Sequence, residues 1–261
     1  MKKNNKNMRK NDHKIGQILG INLTGTTTTE VLARVEKNIT DSVNFYILTP
    51  NPEIILMSQK NQKLKNALNE TDLSIPDGVG LKFAIPGLNV IKGRQLFTEL
   101  IKLANEKGWK VFLLGGLDGE AALASSKLKI KHQKLNIEYA QGPKLDNDLE
   151  PATEIDKKLQ KEAIEKINKF APQLLFVAFG NPKQEIWVHE HYSKLNIGGA
   201  MAVGGAFRYI AGLSKLPPKW MAGRGLEWLY RLITEPRRIG RIWNAVIVFP
   251  LRVFISKIFS I

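Results

Sequence analysis

Leu174-Leu-Phe-Val-Ala178-Phe-Gly180-Asn-Pro-Lys-Gln-Glu185 is the stretch whose reading decides the fold of this 261-residue chain. Its first five residues are all apolar, without polar alternation, as in a strand buried on both faces. Gly180 ends that strand, and the residues to Glu185 lead into a helix containing Trp187. A doubly buried strand followed directly by a helix is the repeating unit of a parallel sheet.

The same unit recurs on both sides. Residues 15–23 read as an opening strand pair, and Thr26 to Thr29 offer hydroxyl caps for a helix through Val31, Val35 and Ile39. A strand at 45–48 runs into Thr49-Pro-Asn-Pro-Glu53, and a helix carrying Ile54, Ile55, Leu64 and Leu68 is expected after it. A short strand through Ser74-Ile75 then ends at Pro76-Asp77-Gly78-Val-Gly80. The pattern continues with a helix at 96–107, a strand at 111–114, the loop Gly115-Gly-Leu-Asp-Gly119, and a helix with Ala121, Ala122 and Leu128. A strand at 137–139, a charged helix at 155–170, and a strand at 200–203 ending at Gly204-Gly205 complete it. The expected fold is α/β: a doubly wound, mostly parallel sheet with helices on both faces. Such sheets bind ligands at the carboxyl ends of their strands. Thr49 and Asn51, Asp77, Gly115 and Gly116, Gly180 to Gln184, and Gly204 and Gly205 all fall at those ends.

The net charge of +15 is concentrated at the termini: residues 1–14 hold six Lys/Arg against one acid, and 219–261 hold eight against two. Residues 1–14 lack the apolar run of a signal peptide and read as a disordered basic arm. Residues 15–216 form the expected catalytic domain, and 217–261 a basic, aromatic helical appendage. Two helices are expected there at 221–234 and 236–248, with a third short one after Pro250. The apolar run at 245–251 is too short to span a bilayer, so the appendage is expected to lie on an anionic membrane surface. The chain has no cysteine, which excludes disulfides, thiolate nucleophiles and cysteine metal sites.

Several motifs invite chemistry. Pro76-Asp77-Gly78 reads as a turn that presents a carboxylate at a strand end. The Gly115-Gly116 turn is of a kind that holds phosphate on backbone N–H groups, with a nucleotide diphosphate, a dinucleotide cofactor and a purely structural turn as its three readings. Glu138 near the next strand end keeps the dinucleotide reading open, although the glycine spacing is not the dinucleotide fingerprint. Asp146-Asn147-Asp148 has the DxD form of a metal-pyrophosphate site, but reads better as a solvated acidic loop. His189 and His191, two apart on a helix, cannot share a metal, so no metal is expected. No G-x-S-x-G elbow is present.

Taken together, Thr49-x-Asn51, Pro76-Asp77-Gly78-x-Gly80, Leu114-Gly115-Gly116, Phe179-Gly180-x-Pro182-Lys183-Gln184-Glu185, Val203-Gly204-Gly205-x-Phe207 and Gly225-Leu-Glu-Trp-Leu-Tyr-Arg231 with Glu235-Pro236-x-Arg238 follow one another as in the WecG/TagA/CpsF glycosyltransferases. The chain resembles that family over residues 15–242. The resemblance implies an inverting, metal-independent transfer of an N-acetylmannosamine-type or related hexosyl unit. The donor would be a UDP-sugar, needing no cofactor, and the acceptor a polyprenyl-diphosphate-linked saccharide of cell-surface polysaccharide or wall teichoic acid synthesis. It implies Asp77 as the base, and Thr49, Asn51 and Gln184 as the lining of the sugar and acceptor pocket. The appendage would close over the site at the cytoplasmic face of the membrane. Without a metal, the leaving UDP needs arginines and backbone N–H groups. Arg94, Arg231 and Arg238 are the expected arginines, and Gly115, Gly116, Gly180, Asn181, Lys183, Gly204 and Gly205 the expected nucleotide contacts. The sequence departs from the family pattern at Val90, Arg208 and Leu216-Pro217-Pro218, positions that bear on sugar or acceptor preference. The competing classes are a nucleic-acid or anionic-polymer binding module and an NAD-type oxidoreductase. The resemblance predicts no nucleic-acid partner, and self-association is compatible with the sequence.

Overall fold

The computed structural model describes residues 14–218, 220–221, 226–234 and 239–259. Most of the basic arm and Arg238 lie outside the described residues, as does the side chain of Arg231.

The chain opens with an antiparallel hairpin of β1 (Lys14–Ile18) and β2 (Ile21–Thr24). Leu19 and Gly20 turn it with φ of 48° and 77°, the two positive values that a tight two-residue hairpin turn requires. The main sheet has six strands, β3 (Phe45–Leu48), β4 (Leu73–Ser74), β5 (Lys110–Gly115), β6 (Asn136–Ala140), β7 (Leu174–Ala178) and β8 (Gly199–Ala202), in the order β4-β3-β8-β7-β5-β6. Every pairing in it is parallel.

Alternate residues of each strand feed two separate cores, because strand side chains alternate between faces. Tyr46, Leu48, Phe112, Leu114, Leu175 and Val177 face one layer, packed under α2 (Pro52–Ser58), α3 (Gln62–Glu70), α6 (Glu154–Phe170) and α7 (Lys183–His191). Phe45, Ile47, Val111, Leu113, Leu174 and Phe176 face the other, under α1 (Thr28–Thr40), α4 (Gly93–Lys107), α5 (Glu120–Lys131) and α8 (Ala206–Ile210). The fold is therefore α/β, with helices on both faces of a parallel sheet. β7, the strand of the opening stretch, is buried at all five positions between β8 and β5.

Two expectations are corrected. The single helix after Asn51 is two helices, α2 and α3. Ile55 and Leu64 are nine residues apart, about 2.5 helical turns, so one straight helix would turn them to opposite faces, yet both are fully buried. The break falls at Asn61, whose side chain accepts the Leu64 N–H and starts α3.

The second correction concerns the C-terminus. After α9 (Glu227–Thr234), residues Ile239–Ile258 form one continuous 20-residue helix, α10, long and apolar enough by composition to cross a membrane. Pro250 does not break it. A proline cannot donate to the helical ladder and its ring crowds the carbonyl four residues back. Here the five residues Asn244–Val248 widen into a π turn just before it, and the Phe249 N–H reaches the Asn244 carbonyl. Phe249 and Val253 are buried in the α2–α3 core layer. Burial of a phenylalanine contributes about 1.5–3 kcal/mol, which fastens α10 to the sheet.

Candidate active site

A cavity of about 240 Å³ opens at the carboxyl ends of the strands, lined by segments that follow β3, β4, β7 and β8. It brings together Thr49, Asn51, Asp77, Arg94, Gly180, Asn181, Gln184, Gly204 and Gly205 from the expected set.

Asp77 is fixed by its neighbours on three sides. Its backbone N–H donates to the Pro50 carbonyl at 2.9 Å, tying the β4 loop to the β3 loop. The carbonyl of Pro76 accepts the Ile91 N–H at 2.9 Å, and Asp77 Oδ2 accepts the Gly93 N–H at 3.3 Å. Gly93 starts α4, so this wall of the cavity is a helix N-terminus, whose partial positive charge favours anions. The approach is close: a Cβ on residue 93 would stand 2.8 Å from Thr49 Oγ1 and 3.4 Å from Asp77 Oδ2, so an added methyl would force a neighbour to shift. Asn51 caps α2, its Oδ1 accepting the Ile54 N–H at 3.0 Å. The Arg94 guanidinium lies over the Tyr209 ring, 5.0 Å from its centroid, and both residues line the cavity.

Gln184 braces the floor. Its Oε1 accepts from the N–H groups of Gly180 at 3.2 Å and Gly204 at 3.0 Å, and its Nε2 donates to Asn181 Oδ1 and Glu185 Oε1, each at 2.8 Å. Those four bonds use the hydrogen-bonding capacity of the amide, so Gln184 acts on the cavity by locking the β7 and β8 loops together.

Sequence reasoning missed four residues that the fold adds. Glu185 is 3% exposed and lines the cavity, and its Oε2 is buried without a hydrogen-bond partner among the described residues. Burial pushes its carboxyl up to about 7, opposed by the Gln184 bond. Tyr209 supplies the ring under Arg94. Glu53 and Arg241 pair across the rim, Nε to Oε1 at 2.5 Å and Nη2 to Oε2 at 3.2 Å, so α10 reaches the cavity directly. Arg241 stood within the basic run noted in the sequence. The buried orphan oxygen of Glu185 had no signal there, because burial depends on how α7 meets the sheet.

Other expected contacts lie elsewhere. The Gly115-Gly116 turn follows β5, one strand beyond the cavity, and does not line it. The Gly116 N–H donates to the Ala178 carbonyl at 2.8 Å and the Leu117 N–H to Glu120 Oε2 at 3.0 Å, so a protein carboxylate sits where a phosphate was expected. Lys183 Nζ donates to the Leu145 carbonyl rather than into the cavity. Glu138 pairs with Lys166 at 2.8 Å. Asp146 Oδ1 accepts from the N–H groups of Asp148 and Glu150, closing its own loop as the solvated reading expects. His189 Nδ1 meets the Tyr46 hydroxyl at 3.0 Å, while His191 stacks on Trp187 at 4.3 Å between ring centroids.

A carboxylate, two guanidinium groups and helix N-termini at one strand-end cavity suit an anionic substrate with a hydroxyl to activate. The sequence pattern of the Glycosyl transferase WecG/TagA/CpsF family matches residues 16–260. The chain belongs to that family. As a WecG/TagA/CpsF member it is a glycosyltransferase, and the five strand-end loops read from its sequence include those that build its cavity. It is similar to the N-acetylglucosaminyldiphosphoundecaprenol N-acetyl-beta-D-mannosaminyltransferases of Staphylococcus aureus strains NCTC 8325 / PS 47, COL and MSSA476. Each is 27% identical over 256 residues, covering 95% of this chain and 95% of the relative.

Proposed function

We propose that this glycosyltransferase moves an N-acetylmannosamine-type hexosyl unit from a UDP-sugar to a polyprenyl-diphosphate-linked saccharide, in a single displacement that inverts the anomeric centre. Asp77 takes the proton from the acceptor hydroxyl, the oxygen attacks the anomeric carbon, and UDP leaves with the bonding pair. The relatives' activity on a lipid-diphosphate sugar supports this substrate class. The observation that carries the chemistry is Asp77, set in the strand-end cavity beside the α4 N-terminus and Arg94. In this reading Arg94 and Arg241 meet diphosphate charge and Thr49 and Asn51 line the sugar, without a metal step. Base assistance of this kind is worth about 10²–10⁴ in rate.

The same reading places the protein at the cytoplasmic face of a membrane, on rather than across it. α10 is tied to the catalytic fold along its length, by Arg241 to Glu53, by buried Phe249 and Val253, and by Lys257 Nζ to the Ala84 carbonyl at 2.8 Å. A helix so held cannot also run through the bilayer without breaking those contacts. Its outward stripe of Ile239, Trp243, Ile247, Leu251, Phe254 and Ile258 is exposed and faces the lipid.

Release of UDP from UDP-N-acetylmannosamine, in the presence of a prenyl-diphosphate N-acetylglucosamine acceptor, tests the assignment. Wild-type protein is expected to turn over and folded Asp77→Asn to lose about 10²–10⁴ of that rate. Near wild-type turnover by Asp77→Asn would remove Asp77 as the base.

A further inference from the structure

The turn of 3₁₀ helix at Val79–Phe83, which follows Asp77 directly, has no place in the reaction above. Its inner residue Leu81 is fully buried, in the same core layer as Ala84 and as Phe249 and Val253 of α10. Its outer residues are not: Phe83 is 75% exposed and Val79 43%. Lys257 of α10 bonds the carbonyl of Ala84, the residue after Phe83, so the turn and the helix lie side by side. Each presents aromatic and aliphatic side chains outward.

Along the two segments that form this face the charge has one sign. No acidic residue occurs between Asp77 and Glu99, or after Glu235, while Lys82, Arg252 and Lys257 flank the exposed apolar groups. Contiguous apolar surface of this kind marks an interaction site, and basic residues without competing carboxylates fit anionic headgroups.

We propose that the Val79–Phe83 turn inserts into the headgroup region of an anionic bilayer beside α10, so that the membrane face has two parts and borders the Asp77 cavity. This rests on the membrane placement given under Proposed function. The cavity wall comes from both parts, through Asp77, two residues before the turn, and Arg241 in α10. The segment from the turn to α4 is clamped back onto the base, by Ile91 N–H on the Pro76 carbonyl and Gly93 N–H on Asp77 Oδ2. A turn held by lipid therefore holds Asp77 at the surface from which a lipid-linked acceptor arrives.

The test uses vesicles of phosphatidylglycerol, with phosphatidylcholine vesicles as the uncharged comparison. Phe83 contributes little to the core, so Phe83→Ser is expected to melt like wild type and to bind phosphatidylglycerol vesicles about tenfold more weakly, from the lost apolar burial. Because the chain has no cysteine, Phe83→Cys accepts a single environment-sensitive fluorophore. Its emission is expected to shift to the blue on adding the anionic vesicles. The same label at Ile130→Cys, 79% exposed on α5 over the opposite sheet face, is expected not to shift. Wild-type binding with undiminished Phe83→Ser binding and an unshifted label would overturn the inference while leaving the α10 reading intact. No wild-type binding at all would overturn the membrane reading and the inference with it. A label shift that needs only higher protein concentration would assign the face to a second copy of the chain and overturn the inference.

Discussion

After β4, Asp77 sits in a Gly-flanked loop and its Oδ2 accepts the Gly93 N–H at 3.3 Å; after β5, Glu120 closes the Gly115-to-Gly119 loop and its Oε2 accepts the Leu117 N–H at 3.0 Å. Both loops pair glycines with a carboxylate held by a backbone N–H at the same edge of one sheet. They differ in what completes the carboxylate's surroundings. Glu120 is 4% exposed and its other oxygen meets Arg208 at 3.0 Å, so the protein itself supplies the cation. Asp77 lines a cavity whose guanidinium groups, Arg94 and Arg241, stand on its walls. The same pairing of glycines with an acid thus borders a cavity after β4 and is closed by the protein's own arginine after β5.

Paired substitutions break this comparison most sharply. Asp77→Asn should cost about 10²–10⁴ in turnover with little change in unfolding free energy. Glu120→Gln should do the reverse, keeping turnover and losing about 1–3 kcal/mol of stability, because the neutral amide turns a donor toward either Arg208 or the Leu117 N–H. Steady-state kinetics and urea unfolding of the two variants check both halves. Equal losses of turnover would mean that the β5 loop takes part in the site.

A third carboxyl at the same edge, Glu185, separates burial from pairing. It is buried like Glu120, but its Oε2 has no hydrogen-bond partner among the described residues, and the attraction of Arg241 is outweighed by burial. The unfolded chain releases its proton near 4.5, whereas the folded protein keeps it to about 7. Between those values the folded state binds more protons, so stability falls as pH rises, and the loss is complete above about 7. The shift corresponds to on the order of 3 kcal/mol. Glu185→Gln should remove that slope, and unfolding free energies at pH 5 and pH 8 should show it. An unchanged slope would mean that a cation reaches Glu185 in solution.

Much of this was legible before the structure. β7 ends at Ala178 as the apolar run predicts, because a five-residue run buried on both sides tolerates no other place in a sheet. Loops at strand ends follow from that alone. Which loops share a cavity depends on strand order, and the order β4-β3-β8-β7-β5-β6 puts the β5 loop one strand too far away. Local sequence carries no record of that order. Pro250 misled for a similar reason, since the π turn that absorbs it is an adjustment of five preceding residues, none of which is itself a signal.

The smallest expected effect sharpens the comparison at the backbone donor itself. Gly93 holds Asp77 as Leu117 holds Glu120, but residue 93 also lies against Thr49, where an added methyl would stand 2.8 Å from Oγ1. Thr49 follows β3 and Gly93 starts α4, so relief of that contact either turns the Thr49 side chain in the cavity or parts the two cavity walls. Catalytic geometry is sensitive to either, and a displacement of 1 Å can cost about 10²-fold. Gly93→Ala is therefore expected to reduce turnover by roughly tenfold while the protein stays folded, since the positive-φ strain that penalises alanine at Gly116 does not arise at residue 93. Wild-type turnover in Gly93→Ala would show that the Asp77 wall yields freely, and that the β4 loop is no more committed to its geometry than an ordinary turn.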